Sequence, residues 1–163
     1  MPDYKTDRIW SDKFIDAAKE IIGPHLLNVS SFEVDTKEAA DFVVVMGKNV
    51  TIACRLRRPG YAEIYPWDFT IRTQRDTGVT TELSKIVDGW GDWLFYGHIE
   101  EDKICRWLLV DLNKFRAILI RDKDSLGLKK TPNGDGTYFV AVDVRKCPDT
   151  VIASSHPITA IDF

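Results

Sequence analysis

Cysteine is scarce in this chain. Its three cysteines, Cys54, Cys105 and Cys147, are odd in number, far apart and form no C-x-x-C pair. That usage argues against a disulfide framework and against a zinc site. It suits a reducing compartment, so a cytoplasmic location is expected. Histidine is equally sparse. His25, His98 and His156 stand in no metal-ligand spacing, and no Ser-His-Asp or Cys-His arrangement suggests itself. No apolar run approaches the length of a membrane span, so no membrane association is expected. The first residues, Met1-Pro2-Asp3-Tyr4-Lys5, are polar and acidic and do not read as a signal peptide. Gly89-Trp90-Gly91 is no dinucleotide fingerprint. Asn133-Gly134-Asp135-Gly136 lacks both the Walker spacing and the acid series of a calcium loop, and reads as a turn. Internal repeats, linkers and low-complexity tracts are missing too, so the 163 residues are read as one domain.

A general basic coat is also lacking, since the net charge is −3. The distribution says more than the sum. Residues 1–47 hold five basic and nine acidic side chains, and residues 76–163 hold eleven and fourteen. Between them, residues 48–75 hold six basic side chains, Lys48, Arg55, Arg57, Arg58, Arg72 and Arg75, against Glu63 and Asp68. Five of those six cations are arginine, whose planar fork suits phosphate and whose charge survives partial burial.

The composition, 44% hydrophobic and 29% charged, is that of a globular chain. Trp10, Phe14, Ala17, Ala18, Ile21 and Ile22 recur at helical spacing, and Gly23-Pro24 ends the pattern, which predicts a helix over about 11–22. Residues 29–34 read as a short strand or lead-in. Strands are expected near 41–46 and 50–58, joined by a hairpin-like turn at Gly47-Lys48-Asn49. Pro59-Gly60 breaks the second. A third strand begins near Trp67, with Trp67, Phe69, Ile71 and Thr73 on one face and Asp68, Thr70, Arg72 and Gln74 on the other. After a turn at Asp76-Thr77-Gly78, Thr80 or Thr81 caps a helix that carries Leu83, Ile86, Val87 and Trp90 inward and is limited by Gly89 and Gly91. Residues 93–99 and 104–110 read as two strands around the polar tip Glu100-Glu101-Asp102-Lys103. Asp111 caps a short helix through Phe115 and Ile118. A strand over 138–144 follows, and Val151-Ile152-Ala153 closes the sheet. The five tryptophans are assigned mostly to the core. This order predicts a mixed α/β fold, a central mixed sheet flanked by helices with a meander at its centre.

One pairing stands out. Asp41 precedes the apolar run Phe42-Val43-Val44-Val45-Met46, and the next strand reads Val50-Thr51-Ile52-Ala53-Cys54-Arg55-Leu56-Arg57-Arg58. Alternation places Ala53, Arg55 and Arg57 on one side of it and Ile52, Cys54 and Leu56 on the other, apolar side. An acid on one strand facing charged residues on the next is how metal-dependent nucleases hold the cations that activate water and neutralise charge on phosphate.

Over residues of about 11–110 this order resembles the PD-(D/E)XK nuclease superfamily, the restriction-endonuclease-like fold. The resemblance places the family's aspartate on Asp41, its Glu and Lys on Ala53 and Arg55, and an occasional first-helix Glu on Glu20. Alanine cannot bind a metal, and arginine cannot take over every role of lysine. A shift of one residue puts the pair on Cys54 and Leu56, which serve no better. The stretches Thr81-Glu82-Leu83-Ser84-Lys85, Asp88-Gly89-Trp90-Gly91-Asp92-Trp93 and Asn133-Gly134-Asp135-Gly136-Thr137 resemble bacteriophage proteins of no assigned activity.

The resemblance implies a domain that grips DNA or RNA through phosphates but cuts poorly or not at all. Arg55, Arg57 and Arg72 hold phosphates in that reading, with Arg58 and Arg75 at the rim. A second reading is an active Mg²⁺-dependent nuclease with Asp41 as anchor ligand, Arg55 beside it, and Glu20, Glu63 or Asp68 completing the metal site. A third is a phage-type protein that grips a host protein, its acidic end portions suiting a basic partner. Folds of this kind often dimerise, so a homodimer is kept open.

Overall fold

The computed structural model describes residues 4–28, 50–75 and 81–161. The strand expected near 41–46, its turn at 47–49, the lead-in at 29–34 and the turn at 76–78 lie outside the described residues. So does Asp41.

Two helices open the described chain, α1 (Tyr4–Asp12) and α2 (Ile15–Asn28). The single helix expected over 11–22 is thus two, and Gly23-Pro24 does not end the second. Pro24 sits inside α2. Proline there removes one backbone donor and crowds the preceding turn, yet the helix runs on to Asn28. Tertiary contact outweighs the local preference. Ala18 and Ile22 of α2 are buried against Trp93, Phe95 and Leu109 of the sheet.

The strands are β1 (Ile52–Arg57), β2 (Asp68–Arg75), β3 (Trp93–Glu100), β4 (Lys103–Asp111), β5 (Lys130–Pro132), β6 (Thr137–Asp143) and β7 (Val151–Ser154). Two further helices are α3 (Glu82–Val87) and α4 (Leu112–Arg121). The fold is mixed α/β. Its strands form a four-stranded sheet in the order β1-β3-β4-β7 and a three-stranded antiparallel sheet in the order β2-β6-β5. The larger sheet is mixed, because β1 runs parallel to β3 while the other pairs are antiparallel. Consecutive β1 and β2 therefore part company and enter different sheets, where a meander is expected from sequence.

The local signals behave as their chemistry predicts. Thr81 caps α3, its hydroxyl accepting from the Ser84 N–H, and the Asp111 carboxylate accepts from the N–H groups of Asn113 and Lys114 to start α4. The β3–β4 tip turns at Glu101 and Asp102, both with positive φ, as a tight hairpin requires.

Each face of the larger sheet has its own core. Leu94, Tyr96, Leu108 and Val110 face the smaller sheet and meet Phe69, Ile71, Val140 and Val142, together with Phe115 of α4. Phe69, Ile71, Val142 and Phe115 are fully buried, which contributes about 2–3 kcal/mol each for the larger side chains. The opposite face, through Trp93, Phe95 and Leu109, lies under α2. Helix α3 contributes Ile86 to the first core, but Val87 and Trp90 are 48% and 69% exposed, against the inward placement expected. The helix is too short to carry them: it stops at Val87, and Trp90 follows Gly89, whose φ is +93°.

Candidate nucleic-acid interface

Strand β1 is held at its start by Asp92, whose carboxylate accepts from the Thr51 N–H and hydroxyl at 2.9 and 3.1 Å. Its register on β3 pairs Arg55 with Tyr96 and Arg57 with His98. Leu56 falls opposite Gly97, where an added Cβ would stand 2.9 Å from a Leu56 methyl. The missing side chain at Gly97 lets Leu56 settle against the sheet with Ile52, on the side covered by α2. Alternation then sends Arg55 and Arg57 to the other side, as the sequence pattern predicts.

A cleft of about 490 Å³ wraps the edge of β1 that faces away from β3, where both faces of the strand are reached. Arg55, Arg57 and Arg58 line it from β1 and the residue after it, and Arg72 lines it from β2. Asp7, Trp10 and Ser11 of α1, Cys54 and Leu56 of β1, Tyr61 of the β1–β2 loop and Asn133 of the β5–β6 turn complete the wall. Four of the five arginine positions singled out from sequence thus meet in one concavity, though they come from two sheets. The fifth, Arg75, closes β2 in register with Thr137.

The arginines of β1 are held in place. Arg55 is ion-paired with Glu82 at 2.8 Å, both side chains being less than one-third exposed. The same Glu82 oxygen accepts from the Arg72 backbone N–H at 3.0 Å. Glu82 thereby ties the edge of one sheet to the other at the start of α3. Arg58 pairs with Asp7 at 2.5 Å and lies 4.6 Å from the centre of the Trp10 ring. Arg57 lies 4.4 Å over the Tyr61 ring, a cation–π contact that leaves its N–H fork available to an acceptor. Hydrogen bonds from Thr137, and after them the charge of Arg72, hold the Asp135 carboxyl below its usual range. Four cations stand against Asp7, Glu82 and Asp135, so the cleft keeps a small positive surplus.

Next to the cleft the interior is polar. The Tyr96 hydroxyl shares a hydrogen bond with the Thr70 hydroxyl at 3.1 Å. Burial raises its pKa, and the charges of Arg57 and Arg55 work against that rise. His98, 3% exposed, lies between Arg57 on β1 and Arg106 on β4 in register. Neither of its ring nitrogens has a hydrogen-bond partner among the described residues. Burial, then the charges of Arg57 and Arg106, push its pKa down to about 4. It is a neutral imidazole at pH 7.

Of the carboxylates expected as metal ligands, Asp41 lies outside the described residues, and Glu20, Asp68 and Glu63 stand apart from one another. Glu20 is exposed on α2, across the larger sheet from Arg55. Asp68 begins β2 in register with Asp143, and its carboxyl is raised by burial and by the Asp143 charge, with Arg145 and Lys146 opposing. Asp143 itself is taken by Arg145 at 2.7 Å. Glu63 lines a different groove, with Glu100 and Glu101. Ala53, where the nuclease pattern has Glu, offers no donor. Among the described residues no group of three or more His, Cys, Asp or Glu could hold a metal ion.

Tyr61, Glu82, Asp7 and Asn133 are site residues that sequence reasoning does not single out. Glu82 has a local signal, as the first residue after the cap Thr81. Tyr61 has a weaker one, an aromatic directly after Pro59-Gly60. Asp7 and Asn133 have none, since they reach the cleft only through tertiary packing. No protein family, no curated protein and no solved structure matches this chain. No helix among the described residues is long and apolar enough to cross a membrane.

Proposed function

We propose that this protein binds nucleic acid by its phosphates in the arginine cleft and does not cut it. The restriction-endonuclease-like scaffold is part of that proposal, with the catalytic Glu position lost to Ala53 and the Lys position given to Arg55. The observation that carries the reading is the meeting of Arg55, Arg57, Arg58 and Arg72 in one cleft of a chain whose net charge is −3. An acidic protein that concentrates arginine in one concavity has a site for an anion. The fork of Arg57 stands closest to the phosphate role, since Arg55 is engaged by Glu82 and Arg58 by Asp7.

The test is a titration of labelled DNA and RNA, single- and double-stranded, with EDTA or with Mg²⁺ or Mn²⁺ and at several salt concentrations. Binding that weakens steeply with salt and yields no products supports the reading, because phosphate contacts release counterions. Metal-dependent products that disappear in Asp41→Asn would replace it with a nuclease.

A second reading has its own support. A groove of about 700 Å³ lined by Glu63, Glu100 and Glu101, with Ile64 65% exposed beside them, suits a basic protein segment with an apolar side chain. Absence of any nucleic-acid binding, with capture of a basic partner abolished by Glu63→Lys, would favour a protein-binding role, such as that of a phage protein gripping a host factor.

A further inference from the structure

We infer that the ligand of the arginine cleft is a single strand, and that one of its bases stacks on the Tyr61–Tyr65 aromatic pair. The inference rests on the nucleic-acid reading above and specifies the strand that reading leaves open.

The loop between β1 and β2 exposes two tyrosines, the first of them at the cleft. Tyr61 lines it and is 40% exposed, and Tyr65 is 50% exposed. Their rings stack with centroids 6.4 Å apart and planes 24° from parallel. The spacing is fixed by the backbone, where the Tyr65 N–H donates to the Tyr61 carbonyl at 3.0 Å. Arg57 lies over one face of Tyr61, which joins the aromatic pair to the charge of the cleft. Both rings keep surface open to water beside the most basic concavity. A base gives them a partner, and every base has a π face to offer.

Shape decides between strands. The cleft's volume of about 490 Å³ is in the range of small-molecule pockets, roughly 300–1,000 Å³, so it takes in a nucleotide rather than a helix. Arg55 and Arg72 are only partly exposed, so the rail of a duplex could touch Arg58 at the rim but not reach both of them. A single strand can enter, and its unstacked bases are what aromatic side chains recognise. Duplex bases present only their edges.

The experiment measures affinity of the full chain for a fluorescent twelve-nucleotide strand, as DNA and as RNA. The comparators are the matching duplex and a strand of the same length carrying abasic linkers. Single-stranded DNA or RNA should bind at least roughly tenfold more tightly than the duplex or the abasic strand, given the strength of base–aromatic stacking. Tyr65→Leu, outside the cleft wall, should weaken the normal strand by roughly tenfold without changing its salt dependence or its affinity for the abasic strand. Tyr65→Phe, which keeps the ring, should bind as the parent does. Equal affinity for normal and abasic strands, or for strand and duplex, overturns the stacking inference and leaves phosphate binding in place. Failure to bind any of the four probes overturns both.

Discussion

The two concavities that meet at the β1–β2 loop carry opposite charge. Tyr61 lines the arginine cleft, while its neighbour Gly60 lines the groove of Glu63, Glu100 and Glu101, which Lys103 offsets in part. One side chain of the groove even builds the divide: the Glu100 carboxylate accepts from the Gly60 N–H at 2.6 Å and so fixes the loop on which Tyr61 stands. A net charge of −3 therefore hides two separated fields. Clefts with low-dielectric walls focus such fields and steer charged partners. The acidic groove repels a phosphate chain and narrows its approach to the basic side, so the comparison bears on orientation as well as affinity.

Reversing one side breaks the contrast most. Arg57→Glu with Arg58→Glu should weaken binding of single strands on the order of a thousandfold at low salt, because like charges set against each other cost several kcal/mol. The milder pair Arg57→Ala and Arg58→Ala should make the salt dependence shallower, by roughly 0.7 in log–log slope for each phosphate that the protein no longer neutralises. Glu63→Gln with Glu101→Gln in the groove should leave affinity unchanged or slightly tighter. Binding isotherms at several salt concentrations check all three. Equal weakening from both sides would mean that the cleft is not where the strand lies.

The next effect concerns stability. His98 has a folded pKa of about 4 against an ordinary 6.5, so the unfolded chain takes up its proton first as pH falls. Its contribution is full above pH 6.5 and is lost as pH drops from 6.5 through 4, by about 3 kcal/mol. Urea unfolding of the parent should therefore show falling stability over that window, while His98→Leu should be flatter there. The lowered carboxyls of Asp143 and Asp135 act below pH 3.8, and so do not imitate the histidine. Equal pH slopes for parent and variant would refute the assignment.

Glu82 separates stability from affinity. Glu82→Gln leaves Arg55 partly buried without its counter-charge, which should cost about 1–2 kcal/mol of folding stability, less than for a fully buried pair. The same change adds positive charge to the cleft and should tighten binding by a factor of roughly two to three, in line with an exposed-to-half-buried charge effect. Opposite signs in denaturation and binding identify Glu82 as a partner of Arg55 rather than of the ligand.

Much of the fold is legible in the sequence because its signals are local. The alternation from Trp67 onward, the polar hairpin tip at residues 100–103, and the capping residues Thr81 and Asp111 each act within a few positions. The site is less legible because its assembly depends on register between strands that are far apart in the chain. Arg57, His98 and Arg106 form one row across β1, β3 and β4, yet no spacing in the sequence announces it. The two sheets are equally hidden, since the pattern of β1 and β2 does not say that they part. Pro24 and Trp90 mislead for the opposite reason. Proline usually stops a helix and tryptophan usually turns inward, but packing carries α2 past Pro24, and the early end of α3 leaves Trp90 in water.

The finest effect lies at the boundary itself. His98 feels both concavities: after burial, Arg57 from the cleft lowers its pKa and Glu100 from the groove raises it. Arg57→Ala should therefore move the His98 pKa upward, and Glu100→Gln, which keeps an acceptor for Gly60, should move it downward. Arg106 also lowers it, so Arg106→Ala should act in the same sense as Arg57→Ala. Proton-detected titration of the imidazole reads each shift directly. Shifts of opposite sign from Arg57 and Glu100 would establish that the two fields meet across this one buried ring. If neither substitution moved it, burial alone would set the pKa, and the fields of cleft and groove would end before they reach the sheet.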